Sequence, residues 1–216
     1  MTSIAYTVID AFSTTAFRGN PAAVITIPPS FELSDETLLA IAQEFNLPMT
    51  AFIYLNHGHD QSIATDSTFR LRWFNPRHEY HFCGHATLAA AHVLFSRSGW
   101  LGTKIREIAF TTLAGQLMAV KVGSGIELNF PAGEVLSVDD IYEGSISLRG
   151  SVVRAVGLKG GESIKAVGQG GGGDSFKHFM VVELEPSIQL KELRPDVICF
   201  VCARIMPHSN LLISLT

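Results

Sequence analysis

Residues Trp73 to Leu88 read WFNPRHEYHFCGHATL and continue into Ala89-Ala90-Ala91. A Pro-punctuated extended segment runs into Cys83-Gly84-His85, and there a run rich in strong helix formers begins. The spacing predicts a helix over Gly84 to Phe95. Alanine so dominates it that strands can approach on several sides, as around a buried central helix. A thiol, a glycine and an imidazole therefore sit at a helix mouth, where unpaired backbone N–H groups and the helix dipole favour an anion. A thiol there can have a lowered pKa, and the histidine beside it can serve as acid or base. This is the chemistry of a site that holds a carboxylate next to a proton carrier. The plainer alternative is a buried cysteine and a capping-region histidine without chemistry.

Outward from that helix, Tyr6 to Phe12 and Ala22 to Ile27 read as strands separated by the turn Phe17-Arg18-Gly19-Asn20-Pro21. Ser34-Asp35-Glu36 offers an N-cap, and Leu38, Leu39, Ile41, Ala42 and Phe45 carry helical spacing to Asn46. Strand character returns at Thr50 to Leu55 and Thr68 to Phe74. It appears again at Glu107 to Val122, bent near Gly115, and at Ile126 to Phe130. Pro131-Ala132-Gly133 marks a boundary between domains 1–130 and 131–216. Beyond it lie a mixed region, a strand near Ser163 to Val167, the run Gly168 to Gly173, a strand Phe179 to Leu184 and a short helix Ser187 to Leu193. Short turns join most neighbouring strands. The class expected is α+β, a mixed and largely antiparallel sheet, not a doubly wound parallel one.

With 216 residues, 47% hydrophobic and 17% charged, the chain can bury a sizeable core. A formal net charge of -4 gives no reason to expect nucleic acid or an anionic membrane surface as partner. Small neutral or anionic metabolites remain open. No apolar run approaches the roughly 20 residues that span a bilayer. Cys83, Cys199 and Cys202 lack framework spacing, and the N-terminus lacks a signal-peptide pattern, so a reduced, cytoplasmic protein is expected.

Other constellations are weaker. His81, Cys83 and His85 would share one face of a strand, but the helix beginning at Gly84 breaks that alternation, so no metal site is expected. Gly168 to Gly173 satisfies G-x-G-x-x-G without the following helix that its mechanism needs, so it reads as a flexible connection. Cys199-Phe200-Val201-Cys202 lies in an apolar run and reads as buried structural cysteines. Gly19-Asn20-Pro21 is a turn first, although its amide could grip a polar substrate group.

Taken in order, several longer motifs resemble the phenazine-biosynthesis PhzF family. They are Ala11-Phe12, Phe17-Arg18-Gly19-Asn20-Pro21-Ala22-Ala23-Val24, Ile41-Ala42-x-Glu44-x-Asn46-Leu47 and Thr50-Ala51-Phe52-Ile53. Leu71-Arg72-Trp73-Phe74-x-Pro76-x-x-Glu79 and Cys83-Gly84-His85-Ala86-Thr87-Leu88 complete the set, which is dense in the first half and sparse in the second. The resemblance implies a diaminopimelate-epimerase-like fold: two similar lobes, each a curved sheet around a central helix, with the active site in the cleft between them. It also implies a cofactor-independent isomerase that moves a proton between carbons of a small carboxylated metabolite. Carried over by position, His85 is the catalytic candidate, Gly84 and His85 bind substrate at the helix start, and Asn20 lines the cleft. A homodimer is compatible with this reading.

Two departures matter. The family's acid/base glutamate position, just before the threonine of Asn-Leu-x-Glu-Thr, is Met49 here, and a thioether carries no proton near neutral pH. Glu44 is nearby in sequence but belongs to a different element. The acidic segment expected in the second lobe has no counterpart, and Val197 to Thr216 depart from the family pattern, so that lobe is expected to be incomplete. The alternative function is therefore a catalytically inactive binding or interaction protein on the same fold.

Overall fold

Continuous apolar runs mark strands buried on both faces, and two such runs set the centre of the structure. The structure is a computed structural model and describes residues 4–29, 31–55, 67–96, 105–130, 132–138, 145–171, 179–189, 192–194 and 210–215. The chain divides into two compact units, Met1–Pro131 and Ala132–Thr216.

The first unit holds β1 (Tyr6–Ala11), β2 (Asn20–Ile27), α1 (Asp35–Phe45), β3 (Met49–Tyr54), β4 (Thr68–Phe74), β5 (Glu79–Tyr80) and α2 (Gly84–Ser96). Three more strands follow: β6 (Glu107–Thr112), β7 (Gly115–Val122) and β8 (Gly125–Asn129). They form one curved mixed sheet in the order β1-β2-β3-β4-β6-β7-β8, with β5 paired to β4. Pairing is parallel at β2–β3 and β4–β6 and antiparallel elsewhere. The bend expected near Gly115 is a full reversal: Gly115 has φ +94, and the β6–β7 hairpin turns there.

Strand alternation sorts β3 between two cores. Met49, Ala51 and Ile53 face α2, where Ala86, Ala89, Ala90 and Ala91 are fully buried. Phe52 and Tyr54 face the other way, against Leu38 and Ala42 of α1. Helix α1 is capped by Ser34, whose Oγ accepts the Thr37 N–H, and it ends at Asn46 in the left-handed region. The sheet thus wraps α2 on its inner side and carries α1 on its outer side.

The second unit comprises β9 (Val135–Ser137), α3 (Ser145–Val156), a 3-10 turn at Gly161–Ser163, β10 (Ile164–Gly170), β11 (Phe179–Leu184) and β12 (Asn210–Leu215). Its sheet runs β12-β11-β10-β9, and Val152, Val156, Val167, Met180, Val182 and Leu184 build its core. Three expectations are corrected here. Helix α3 occupies what reads as a mixed region, because its serines, Gly150 and β-branched residues weaken the helical signal. Gly168 to Gly170 belong to β10 instead of a flexible connection, since Gly168 lets β10 come close against Val135 and Leu136 of β9. The helix expected over Ser187 to Leu193 does not start at Ser187: a single turn closes from Ile188 to Glu185, helical geometry among the described residues of that span is confined to a tight turn at Glu192, and 190–191 lie outside the described residues. The Cys199–Cys202 pair lies outside the described residues.

Candidate active site

Helix α2 begins where the backbone carbonyl of Cys83 accepts the Thr87 N–H at 3.2 Å. The same carbonyl accepts the Thr87 hydroxyl at 2.6 Å, so the first turn is tied twice. Upstream, the β4–β5 hairpin is held firmly. Arg72 makes a two-pronged pair with Glu79 at 2.6 and 2.7 Å, and its third nitrogen reaches Asp35 at 2.8 Å. That carboxylate grip raises the Arg72 pKa further, against the cost of its partial burial. Only three residues lie between Glu79 at this anchor and Cys83 just before the helix, so the hairpin sets where the helix mouth falls.

At the mouth the Cys83 sulfur lies 3.4 Å from Nδ1 of His85. The lowered thiol pKa expected from the helix terminus is not found. Burial pushes the Cys83 pKa up to about 11, and the backbone N–H groups of Ala86 and His85 directed at the sulfur offset only part of that. The thiol is therefore a neutral neighbour that fixes the imidazole and not a nucleophile. Burial also lowers the His85 pKa, while the nearby Pro21 carbonyl favours the charged ring and opposes the shift in part. His85 Nε2 is shut away from solvent, with no hydrogen-bond partner among the described residues.

Gly84 opens the helix without a steric demand for glycine. A Cβ there would meet the Phe130 ring at 3.6 Å, an ordinary contact. Asn20 is the exposed first residue of β2, opposite Ala11 and one residue before Pro21. Met49 opens β3, in register with Ala22. It is 6% exposed and shares the inner core with Ala22, Cys83 and Ala86. The fold thus brings the ends of β2 and β3 to the α2 mouth. Glu44 is exposed on α1, on the outer side of the sheet, and is not a substitute for a carboxylate at Met49.

Two features here escape sequence reading. Trp73 Nε1, on the same inner core, is buried without a partner among the described residues. Asp10, unremarkable within a strand, accepts the Phe17 N–H at 2.6 Å and ties down the loop before Asn20.

A curved mixed sheet around an alanine-rich helix, with a histidine at the helix mouth, defines the class: an α+β protein of the diaminopimelate-epimerase-like fold. The family model described as phenazine biosynthesis-like protein (PhzC-PhzF) matches residues 9–211, and the chain belongs to that family. The human phenazine biosynthesis-like domain-containing protein is 44% identical over 124 residues, covering 57% of this chain and 41% of the relative. A Pseudomonas aeruginosa protein named an uncharacterized isomerase is 41% identical over 124 residues, covering 57% and 42%. The match thus spans under half the length of these curated relatives. The crystal structure of a PhzF-family phenazine biosynthesis protein from Enterococcus faecalis superimposes with TM-score 0.68 at 26% identity, covering 98% of this chain and 68% of that one.

Proposed function

We propose that the α2 mouth binds a small carboxylated metabolite and isomerises it by moving a proton between two carbons, without metal or organic cofactor. The observation that carries this reading is the buried, unpartnered Nε2 of His85, on a ring held from its other side by Cys83. Orphaned buried polar atoms are uncommon in folded proteins, and a ligand atom at Nε2 would satisfy this one. Its lowered pKa keeps the ring neutral near pH 7, the form that accepts a proton. In the step proposed, the substrate C–H bond breaks as Nε2 takes the proton. The electron pair stays on the substrate, delocalised toward its carboxylate, and the imidazolium returns the proton to a different carbon. Gly84 leaves the helix N-terminus open to the carboxylate, and Asn20 holds a polar substrate group. The names of relatives agree with this reaction class.

Met49 favours a second reading, a binding protein without turnover. A buried thioether replaces the group that would complete a two-residue proton transfer. One experiment separates the two: proton NMR of small carboxylic acids bearing an acidic C–H, incubated with protein in deuterated water. Wild type is expected to exchange the carbon-bound proton, and His85→Ala to slow this by roughly 10²–10⁴-fold. Exchange that survives His85→Ala removes His85 from the mechanism. A silent wild type together with exchange gained by Met49→Glu supports the binding reading on an otherwise intact site.

A further inference from the structure

Between β1 and β2, residues Phe12 to Gly19 form a loop that ends on Asn20. Its backbone is unusual. Phe12 has φ 66 and Phe17 has φ 63, both in the left-handed region that a residue with a Cβ adopts only at a cost. Packing does not explain the cost, since the two rings are 73% and 95% exposed. Local bonds explain only part of the loop: Ser13 Oγ donates to the Thr15 carbonyl at 2.8 Å and accepts the Thr15 N–H at 3.0 Å. The tie back to the sheet is Asp10, whose Oδ2 accepts the Phe17 N–H at 2.6 Å. Two residues on, Gly19 lies so close to the same strand that an added Cβ would stand 2.5 Å from the Ala11 carbonyl oxygen and 2.9 Å from Asp10 Cβ. Asn20 and Pro21 follow at once, and Pro21 presents its carbonyl toward His85.

We infer that Asp10 is a positioning residue for the candidate site: its carboxylate holds the strained loop and thereby sets where Asn20 and the Pro21 carbonyl stand against His85. The inference rests on the reading of Asn20 and His85 as site residues. Removing the acceptor frees the Phe17 N–H, lets Phe17 leave the left-handed region and releases Asn20 from its place. Neither Phe12 nor Phe17 belongs to an apolar core of this unit, and Asp10 supplies the charged hydrogen bond that ties the loop to β1.

The test compares Asp10→Ala with Asp10→Asn in the full chain by isotope-edited NMR. Asp10→Ala is expected to speed hydrogen exchange at the Phe17 amide by roughly tenfold or more, the weight of a hydrogen bond to a charged acceptor. The Asn20 side-chain amide and His85 ring signals should move with it, while the amides of β3 and α2 keep their protection. Asp10→Asn retains an acceptor oxygen and should restore the Asn20 and His85 signals in large part. Wild-type Asn20 and His85 signals in Asp10→Ala would overturn the inference, as would an Asp10→Asn that behaves like Asp10→Ala. Gly19→Ala supplies an independent disruption that should move the same signals. None of these readouts needs turnover, so absence of proton exchange in wild type would refute the proposed reaction and leave this inference to be decided separately.

Discussion

His85 concentrates the residue-scale physics of the site. Its ring is half-buried, its Nδ1 meets a neutral thiol, and its Nε2 is closed to water. Because burial lowers its pKa in the folded state, the unfolded chain binds more protons wherever pH lies between the folded value and the ordinary 6.5. The stabilising contribution of the neutral ring is therefore complete above that ordinary value and is lost as pH falls through the folded one. Urea midpoints measured across this window should decline on acidification in wild type and decline less in His85→Gln. Equal declines would place the acid sensitivity on other groups. Cys83 illustrates a limit of residue-scale reading. A helix terminus argues for a lowered thiol pKa and burial argues against it, and only the packing around the sulfur shows that burial wins.

At the scale of elements, α2 does most to shape the first unit. Its four fully buried alanines, Ala86, Ala89, Ala90 and Ala91, let β1, β2 and β3 approach one helix closely. A larger side chain in that seam has nowhere to go. Ala90→Leu should cost about 1–3 kcal/mol, the usual range for overpacking, and chemical denaturation would measure it. A cost near zero would mean that the sheet can back away from the helix. The helix was legible in the sequence because alanine, leucine and the absence of breakers coincide over Gly84 to Ser96. Helix α3 was not, because serine, glycine and valine have no strong helical preference, and its apolar face is organised by the second unit's core instead.

At the scale of the whole molecule, each unit carries its own core: Met49, Trp73, Ala90 and Leu94 belong to the first, Val152, Val182 and Leu184 to the second. Damage to one core should then stay local. Leu184→Ala is expected to destabilise the second unit by about 2–5 kcal/mol, while hydrogen-exchange protection of β3 amides is unchanged. Loss of protection in β3 would show that the units unfold together. No helix among the described residues is long and apolar enough to cross a membrane.

The sequence by itself determined the class and the family. Strand alternation, the alanine-rich helix and the ordered motifs from Ala11 to Leu88 are local signals, and local signals survive in one dimension. It also put a methionine, whose thioether carries no proton near neutral pH, at position 49, since identity at a position needs no coordinates. Tertiary structure alone decided the state of the helix mouth. Burial of Cys83, the closed Nε2 of His85 and the tie from Asp10 to Phe17 all depend on residues brought together through space. The physical reason is that pKa, solvation and backbone strain depend on what surrounds a group on every side. Neighbours along the chain supply only part of those surroundings.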